Sequence, residues 1–373
     1  MKILFFADCA AEHTLRWTKF FANIGHDVHI ISWNDLSEAY RNDDVIKSFH
    51  PAKLHILGGK RPKSKLGYFF WLISLIFTTR KMFKEIKPDL LHSHSVGSYA
   101  WITLFLPKIR SVMTPWGTDV LIDMHESKIN RYLSLKSLKK STVITVDASH
   151  MKESLIEFGI DADKIKIIYF GTDTNFYSRS QESRKKIRSQ FDIGENDIAI
   201  ISTRTLNPIH DVFLTIKSIP HILKINKNVK FIIASDGSDR KEMEQFVLLN
   251  NLQENVIFPG YMTMDQMVAY LSAADIYISS SKADAGLAAS TAEAMSVGLP
   301  VVVSNNSENS FWIENAGLLF EDGDEEGIAK CILKLIDEPN QAIKFGENGR
   351  SRIKKDNDYN TEMKKVNELY LKI

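Results

Sequence analysis

The chain has 373 residues, of which 44% are hydrophobic and 25% charged, so intrinsic disorder and low-complexity or collagen-like structure are not expected. Cys9 and Cys331 lie far apart without C-x-x-C spacing, which excludes a disulfide scaffold, gives no sign of structural zinc and fits a reducing cytoplasm. The net charge of +1 argues against a nucleic-acid partner. However, residues 1–180 contain 25 basic and 18 acidic side chains, whereas residues 181–373 contain 22 basic and 28 acidic side chains. This asymmetry indicates two domains with different partners.

The first half alternates short apolar runs with helical patterns. Strands are predicted at 3–7, 28–32, 89–92, 111–114, 143–146 and 165–169. Such alternation predicts a parallel sheet with helices on both faces. The N-terminus lacks a basic leader before its apolar run, so it is predicted to be a buried strand and not a signal peptide.

The most apolar segment is Leu66–Phe77, which is too short to span a membrane as a helix. Basic residues flank it on both sides: Lys60, Arg61, Lys63, Lys65, Arg80, Lys81, Lys84 and Lys87. Residues 60–87 could therefore contact an anionic membrane peripherally, at the inner face of a cell membrane. The alternative is a helix packed on the sheet with solvated ends.

The second half repeats the same rhythm after a polar stretch. Strands are predicted at 198–202, 231–234, 256–258, 276–279 and 300–303 and within 311–320. We predict an α/β fold with two doubly wound, Rossmann-like domains facing across a cleft. The expected boundaries are an N-terminal domain at 1–172, a linker at 173–192, a C-terminal domain at 193–354 and a helix at 355–373 that crosses back to the first domain.

The most informative stretch is residues 279–303, where a strand ends in a loop of small residues. A helix is predicted from about Ser290, and its first N–H groups and dipole would favour an anion such as a diphosphate. Glu293, one turn further, could accept hydrogen bonds from a diol such as a ribose. The alternative is an ordinary strand–loop–helix with a solvated glutamate.

The run from Glu293 to Val302, EAMSVGLPVV, resembles the E-x7-E region of the retaining glycosyltransferases of family 4, which have the GT-B fold. The resemblance implies that Glu293 holds the ribose of a nucleotide sugar. The first acidic position of the motif is Ala285 here, so Asp284, one residue earlier, is the candidate donor-sugar contact. The implied donor-binding loop comprises Gly286, Leu287, Ala288, Ala289 and Ser290.

Other motifs of the second half agree with this resemblance in their order. Arg204, after a predicted strand, resembles the family's diphosphate-binding arginine, a role that suits a guanidinium. Its alternative is a surface salt bridge. The family's following lysine is replaced in the region of His210, which makes the phosphate pocket less cationic, and Tyr261 could border the base.

In the first half, the run KPDLLHSH at 87–94 resembles the family's P-D-x-x-H-x-H strand end, which implies that His94 lies at the reaction centre. The run PWGTD at 115–119 resembles a P-W-G-x-D signature, and Asp119 is expected to orient His94 or an acceptor hydroxyl. Its alternative is a turn with a capping Asp. Acceptor contacts are predicted for residues of this run and of the run HTLRW: Trp116, Gly117, His13, Arg16 and Trp17.

The sequence thus predicts a retaining hexosyl- or N-acetylhexosaminyltransferase in cell-surface polysaccharide or glycoconjugate synthesis. It would move a sugar from a nucleotide-diphosphate donor, with UDP as the family's usual nucleotide, to a saccharide or lipid-linked acceptor. His94, Asp119 and Arg204 are the expected catalytic residues. No metal or cofactor is expected, and the D-x-D spacing at 161–163 is interpreted as a solvated turn. The alternatives are a sugar-nucleotide epimerase and a non-catalytic nucleotide-sugar-binding protein.

Overall fold

The computed structural model describes residues 1–33, 49–57, 62 and 64–373. Its contacts divide the chain into two units. The first comprises Met1–Phe170 with Glu362–Ile373, and the second comprises Gly171–Thr361.

The first unit contains a parallel sheet whose described strands have the order β3-β2-β1-β4-β5-β6-β7. The strands are β1 (Lys2–Phe6), β2 (Asp27–Ser32), β3 (Lys53–Ile56), β4 (Leu90–His94), β5 (Ser111–Thr114), β6 (Val143–Val146) and β7 (Ile165–Ile167). The helices are α1 (Glu12–Asn23), α2 (Lys65–Ile86), α3 (Ser98–Thr103), α4 (Thr118–Leu121), α5 (Asp123–Glu126), α6 (Lys128–Lys140) and α7 (Ser149–Glu157). Strand order reverses between β1 and β4, which in such sheets opens a crevice at the carboxyl ends.

The second unit repeats this arrangement, with its described strands in the order β10-β9-β8-β11-β12-β13. They are β8 (Ile198–Ser202), β9 (Val229–Ile233), β10 (Val256–Ile257), β11 (Ile276–Ser279), β12 (Val301–Ser304) and β13 (Gly317–Phe320). The helices are α8 (Gln181–Gln190), α9 (Val212–Leu223), α10 (Arg240–Leu249), α11 (Met264–Ala273), α12 (Ala289–Val297), α13 (Asn309–Ile313), α14 (Glu325–Asp337) and α15 (Pro339–Asp356). A last helix, α16 (Tyr359–Lys372), contributes its residues from Glu362 onward to the first unit. The reversal here lies between β8 and β11.

The central strands of both sheets are buried on both faces. The interior residues of β1 and β8 are fully or almost fully inaccessible, and apolar helix faces pack on them. Continuous apolar strands of this kind are typical of parallel sheets, which explains why the sequence pattern located most of them.

The expected linker at 173–192 is wrong in one respect, because it contains helix α8. Arg184 and Arg188 of this helix pair with Asp275 at 2.7 and 3.1 Å, beside the start of β11. The segment is therefore an integral part of the second unit. The polar composition of this segment did not indicate a helix, because arginine side chains, and not a broad apolar face, hold helix α8 against the rest of the second unit.

Helix α2 extends the predicted apolar segment to 22 residues. One face is buried through Leu75 and Ile86, as the packed alternative predicts. The opposite face exposes apolar side chains that are 57–70% accessible: Leu66, Phe69, Phe70 and Phe77. The flanking Lys60, Arg61 and Lys63 lie outside the described residues. No helix within the described ranges is long and apolar enough to cross a membrane.

Candidate active site

Arg204 lies directly beyond β8 and is almost fully buried. Its guanidinium forms an ion pair with Asp284 and donates hydrogen bonds to Ser281 Oγ and Ser290 Oγ, both at 3.2 Å. These partners all follow β11, the strand beside β8. Arg204 Nε is buried and lacks a hydrogen-bond partner among the described residues. Three of the five N–H groups of the guanidinium are thus engaged, and two remain at the point where strand order reverses.

The start of α12 offers further donors beside Arg204. Its N-cap is Ala288, whose methyl group cannot accept a hydrogen bond from the first turn. The N–H groups of this turn therefore lack the side-chain cap that a serine or aspartate would supply, and they favour an anion. Burial raises the pKa of Tyr277, whose protonated hydroxyl donates to Ser290 Oγ at 2.9 Å and so holds this serine in place. The predicted donor-binding residues 286–290 form this loop and helix start.

His210 does not offer an N–H donor to this site. Its Nδ1 lies 3.2 Å from the Thr205 carbonyl oxygen, which can only accept, so Nδ1 carries the hydrogen and Nε2 of the neutral ring is an acceptor. Burial and the Arg204 charge lower the pKa of His210, which favours the neutral ring. The prediction of a phosphate contact at His210 is therefore not supported, because its one donor is already engaged.

Sequence reasoning missed a lysine beside this loop. Lys282 follows β11, and its ammonium lies 2.8 Å from Asp211 Oδ2, while its backbone N–H donates to the Ile209 carbonyl at 2.9 Å. The two segments meet only in the folded sheet, so no local motif could reveal the pairing. The structure thus places the Lys282 ammonium next to this loop, whereas the sequence predicts that the phosphate pocket is less cationic than usual for the family.

Two further predicted donor contacts lie at the same edge of the sheet. Glu293 is partly buried in the second turn of α12, and Tyr261 is exposed on the turn between β10 and α11. Both segments follow the carboxyl ends of strands, as Arg204 does. Their roles as ribose and base contacts stay predictions.

In the first unit, His94 ends β4 beside β1 and is only 2% exposed. Neither ring nitrogen has a hydrogen-bond partner among the described residues. The rings of Phe5, Trp17 and Trp116 meet His94 edge-on, with centroids at 5.4, 5.2 and 5.1 Å. Burial holds the pKa of His94 well below its usual value, so the imidazole is neutral at pH 7. A neutral imidazole without partners has one donor and one acceptor for a ligand.

His92, two residues earlier on the strand, is fully engaged. Its Nδ1 contacts the Tyr370 hydroxyl of α16, and its Nε2 lies 2.6 Å from Thr114 Oγ1. Burial lowers the pKa of His92 to about 3. His92 is therefore engaged within the fold through both ring nitrogens, whereas the ring nitrogens of His94 have no such partners in the described structure.

An aromatic surface adjoins His94 at the start of α1. The His13 ring stacks on Trp116 at 4.4 Å, and burial together with the Arg16 charge lowers the pKa of His13 to about 4. The Arg16 guanidinium lies 4.6 Å from the centre of the Phe170 ring. Trp17 is only 1% exposed and packs against His94, so the predicted contact of Trp17 with an acceptor is not supported.

Asp119 makes no hydrogen bond to His94, so the first of its two predicted roles is not supported, and the second, orienting an acceptor hydroxyl, stays a prediction. Its carboxylate accepts backbone hydrogen bonds from Trp116 and Gly117 at 3.1 Å and from Val96 at 2.8 Å. It thereby ties the loop after β4 to the loop after β5. Gly117 has a φ of +113°, a conformation that favours glycine and brings its N–H onto the carboxylate. Asp119 is thus a positioning residue for these loops.

A small polar cavity of about 150 Å³ opens beside Asp119. Its walls include Tyr68 of α2, Trp101 of α3, Asp123 of α5 and Asn130 of α6. Sequence reasoning missed these residues, because they come from four helices and share no motif. The cavity joins the crevice edge of the first sheet to the first turn of α2.

No three His, Cys, Asp or Glu side chains come together as metal ligands within the part of the chain that the structure describes. The candidate groups are instead a buried guanidinium and a helix start in the second unit, and a neutral imidazole with an adjoining cavity in the first.

Comparison with known proteins finds a matching family model in each unit. Residues 2–148 match the family model of glycosyl transferase 4-like domains, and residues 183–352 match that of glycosyl transferases group 1. An uncharacterised glycosyltransferase of Methanocaldococcus jannaschii is 26% identical over 62% of this chain, which spans 59% of that relative. The alpha-monoglucosyldiacylglycerol synthase of Streptococcus pneumoniae is 23% identical over 60% of this chain and 53% of its own length.

Among solved structures, Anabaena Alr3699/HepE in complex with UDP and glucose is similar over the full length of both chains. It has a TM-score of 0.83 at 18% identity, a likeness of fold. Together with the two domain matches, this shows that the chain belongs to the family 4 glycosyltransferases of GT-B fold.

Proposed function

We propose that this glycosyltransferase moves a hexosyl or N-acetylhexosaminyl group, with retention, from a nucleoside-diphosphate sugar to an acceptor hydroxyl. UDP is the proposed nucleotide, since the similar Anabaena protein was solved with UDP and glucose. The acceptor is a saccharide or a lipid-linked saccharide used in cell-surface polymer or glycoconjugate synthesis. The monoglucosyldiacylglycerol synthase among the relatives supports the lipid-linked choice.

The observation that carries the proposal is the buried Arg204 beside the uncapped start of α12. When the sugar leaves the donor, negative charge develops on the diphosphate. The Arg204 guanidinium and the first N–H groups of α12 are the donors that meet this charge in the proposal. No metal is needed in this proposal, because the guanidinium and the helix start supply the positive potential.

His94 provides the polar group of the first unit in this proposal. Its neutral ring can donate one hydrogen bond to the transferred sugar and accept one from a hydroxyl. The polar cavity beside Asp119 receives the acceptor, with Asp123 and Asn130 as hydrogen-bonding walls. Tyr68 connects this cavity to α2, whose outer face is apolar.

We propose that α2 lies on the cytoplasmic face of an anionic membrane. Its outer face exposes Phe69, Phe70 and Phe77, and exposed basic side chains follow at Arg80 and Lys84. Aromatic side chains that enter the lipid boundary beside cations favour anionic headgroups. A lipid-linked acceptor would be presented at this surface.

The test is release of nucleoside diphosphate from a panel of UDP-, GDP- and ADP-sugars, with and without saccharide and lipid-linked acceptors, read by mass spectrometry. The proposal expects diphosphate release that rises with an acceptor and a product heavier by one sugar. An altered sugar nucleotide without free diphosphate would indicate an epimerase, and binding without turnover would indicate a non-catalytic protein. Either of these outcomes overturns the proposal.

A further inference from the structure

A second cleft, of about 520 Å³, opens in the second unit at the sheet edge opposite Arg204. Ile198 and Ile276, the first residues of β8 and β11, lie on its floor, with Pro300 just before β12. Arg204 follows the carboxyl end of β8, so the length of a strand, roughly 13 Å, separates the two sites. The cleft is therefore distinct from the proposed donor site.

The walls of this cleft are apolar. Leu335 and Ile336 from the end of α14 form one side, and Ala342 and Ile343 on one face of α15 form another. Ile343 lines the cleft and is 61% exposed. The volume falls within the range of about 300–1,000 Å³ that is typical of small-molecule sites. A nucleotide or sugar fits such walls poorly, whereas an alkyl chain fits them well.

Three arginines meet at one end of the cleft, where Asp275 is the lining carboxylate. Asp275 already pairs with Arg184 and Arg188, so Arg179 has no carboxylate partner within 4.0 Å in the described structure. Arg179 instead donates to the Ala274 carbonyl at 3.0 Å. Arg350 likewise binds backbone carbonyls, among them that of Ser296.

The negative C-terminal ends of two helices offset part of this positive charge. Ala274 caps α11 and Ser296 lies in the last turn of α12, and a helix C-terminus carries about half a negative charge. Glu347 at the rim supplies one further negative charge. Where α11 ends, three arginines share one carboxylate and the helix C-terminus, so positive charge is in excess beside Arg179.

We propose that this cleft binds a fatty-acid anion, with the alkyl chain along Ile343 and the carboxylate against Arg179. A carboxylate matches the excess of positive charge at this end of the cleft, and the guanidinium can donate to both of its oxygens. The apolar side chains of the walls offer no hydrogen-bond partners to the hydroxyls of the proposed donor and acceptor. The proposal does not depend on the transferase activity.

The test is isothermal titration of the full chain with dodecanoate below its critical micelle concentration. Octanoate and dodecyltrimethylammonium are the matched probes of chain length and head charge. Ile343→Glu introduces a carboxylate into the wall, and Ile225→Glu makes the same change at a 73% exposed isoleucine outside the cleft. Arg179→Gln removes the proposed head-group contact. Thermal unfolding of each variant establishes that it is folded.

We expect one dodecanoate site, with affinity about fourfold weaker for each buried methylene removed from the chain. Ile343→Glu should weaken binding about tenfold or more and Arg179→Gln severalfold, while Ile225→Glu leaves it unchanged. Three results would overturn the proposal: no binding by the wild type, equal binding by Ile343→Glu, or equal affinity for the cationic amphiphile. Equal binding by Ile343→Glu would place the amphiphile elsewhere, for example on the apolar face of α2.

Discussion

Replacing Arg204 by alanine removes the guanidinium that we place on the leaving diphosphate. A preorganised donor at developing charge contributes roughly 2.7–4 kcal/mol to the transition state. Arg204 is paired with Asp284 without a ligand, so the diphosphate must share the guanidinium with this carboxylate. Part of the gain is offset by that competition. We therefore expect kcat to fall about tenfold at least, and at most about a thousandfold.

The same substitution leaves Asp284 buried without its cation. Breaking a buried pair in this way costs about 3–5 kcal/mol of stability, so a loss of activity alone would be ambiguous. The double variant Arg204→Ala/Asp284→Asn removes the orphaned charge as well. We expect it to regain the melting temperature lost by Arg204→Ala but not its kcat. Asp284→Asn alone frees the guanidinium, so it should bind UDP more tightly.

The measurement is steady-state release of nucleoside diphosphate together with thermal unfolding. Arg240→Ala is the matched control, because Arg240 pairs with Asp236 and Glu244 at the surface of the same unit. The control should retain the wild-type kcat. If the double variant recovers kcat together with stability, Arg204 acts only through folding and our assignment is refuted.

Four further predictions follow from individual contacts. His94→Asn should lower kcat at least about tenfold, and the wild-type rate should show no His94 titration between pH 6 and 8, because its pKa is well below that range. His92 has a pKa of about 3 when folded and 6.5 when exposed, so the unfolded state takes up its proton first as pH falls. Between pH 7 and 5 this residue should contribute about 2 kcal/mol to the drop in unfolding free energy measured in urea, and His92→Gln should make the total drop smaller by that amount while His94 and His13 keep their shares. Lys282→Ala should raise KM for the nucleotide sugar severalfold with little change in kcat in the diphosphate-release assay. Phe69→Ser/Phe77→Ser should reduce co-sedimentation with vesicles that contain phosphatidylglycerol, while the activity on a soluble acceptor stays unchanged.

The strands were predictable where burial on both faces makes them continuously apolar, as in β5, β8 and β11. β3 was missed because Lys53–Ile56 is short and alternates polar and apolar residues at the edge of the sheet, so it lacks the continuous apolar run that marks the buried strands. Helix α8 was missed because arginine side chains attach it to the unit. In both cases the decisive contacts are made with residues far away in sequence.

The same distinction applies to the candidate site. The sequence located Arg204 and His94, since each follows or ends a strand at a reversal of strand order. It could not show that Asp284 pairs with Arg204, that Lys282 lies against Asp211, or that His94 lacks partners. These facts depend on rotamers and on loops brought together by the sheet, which motif spacing does not encode.

The direction of the helices in the second unit explains where its arginines lie. In a parallel α/β sheet each helix starts at the carboxyl edge of the strands and ends at the amino edge, so helix dipoles place positive potential at one edge and negative potential at the other. The carboxyl edge can therefore bind a diphosphate with Arg204 and the start of α12. The amino edge needs cations to offset the helix ends, and Arg184 and Arg350 donate to carbonyls there. Arg179 lies beside an apolar cleft and has no carboxylate partner in the described structure. This positive charge is the reason to expect a bound anion at the amino edge, where the proposed sugar transfer requires none.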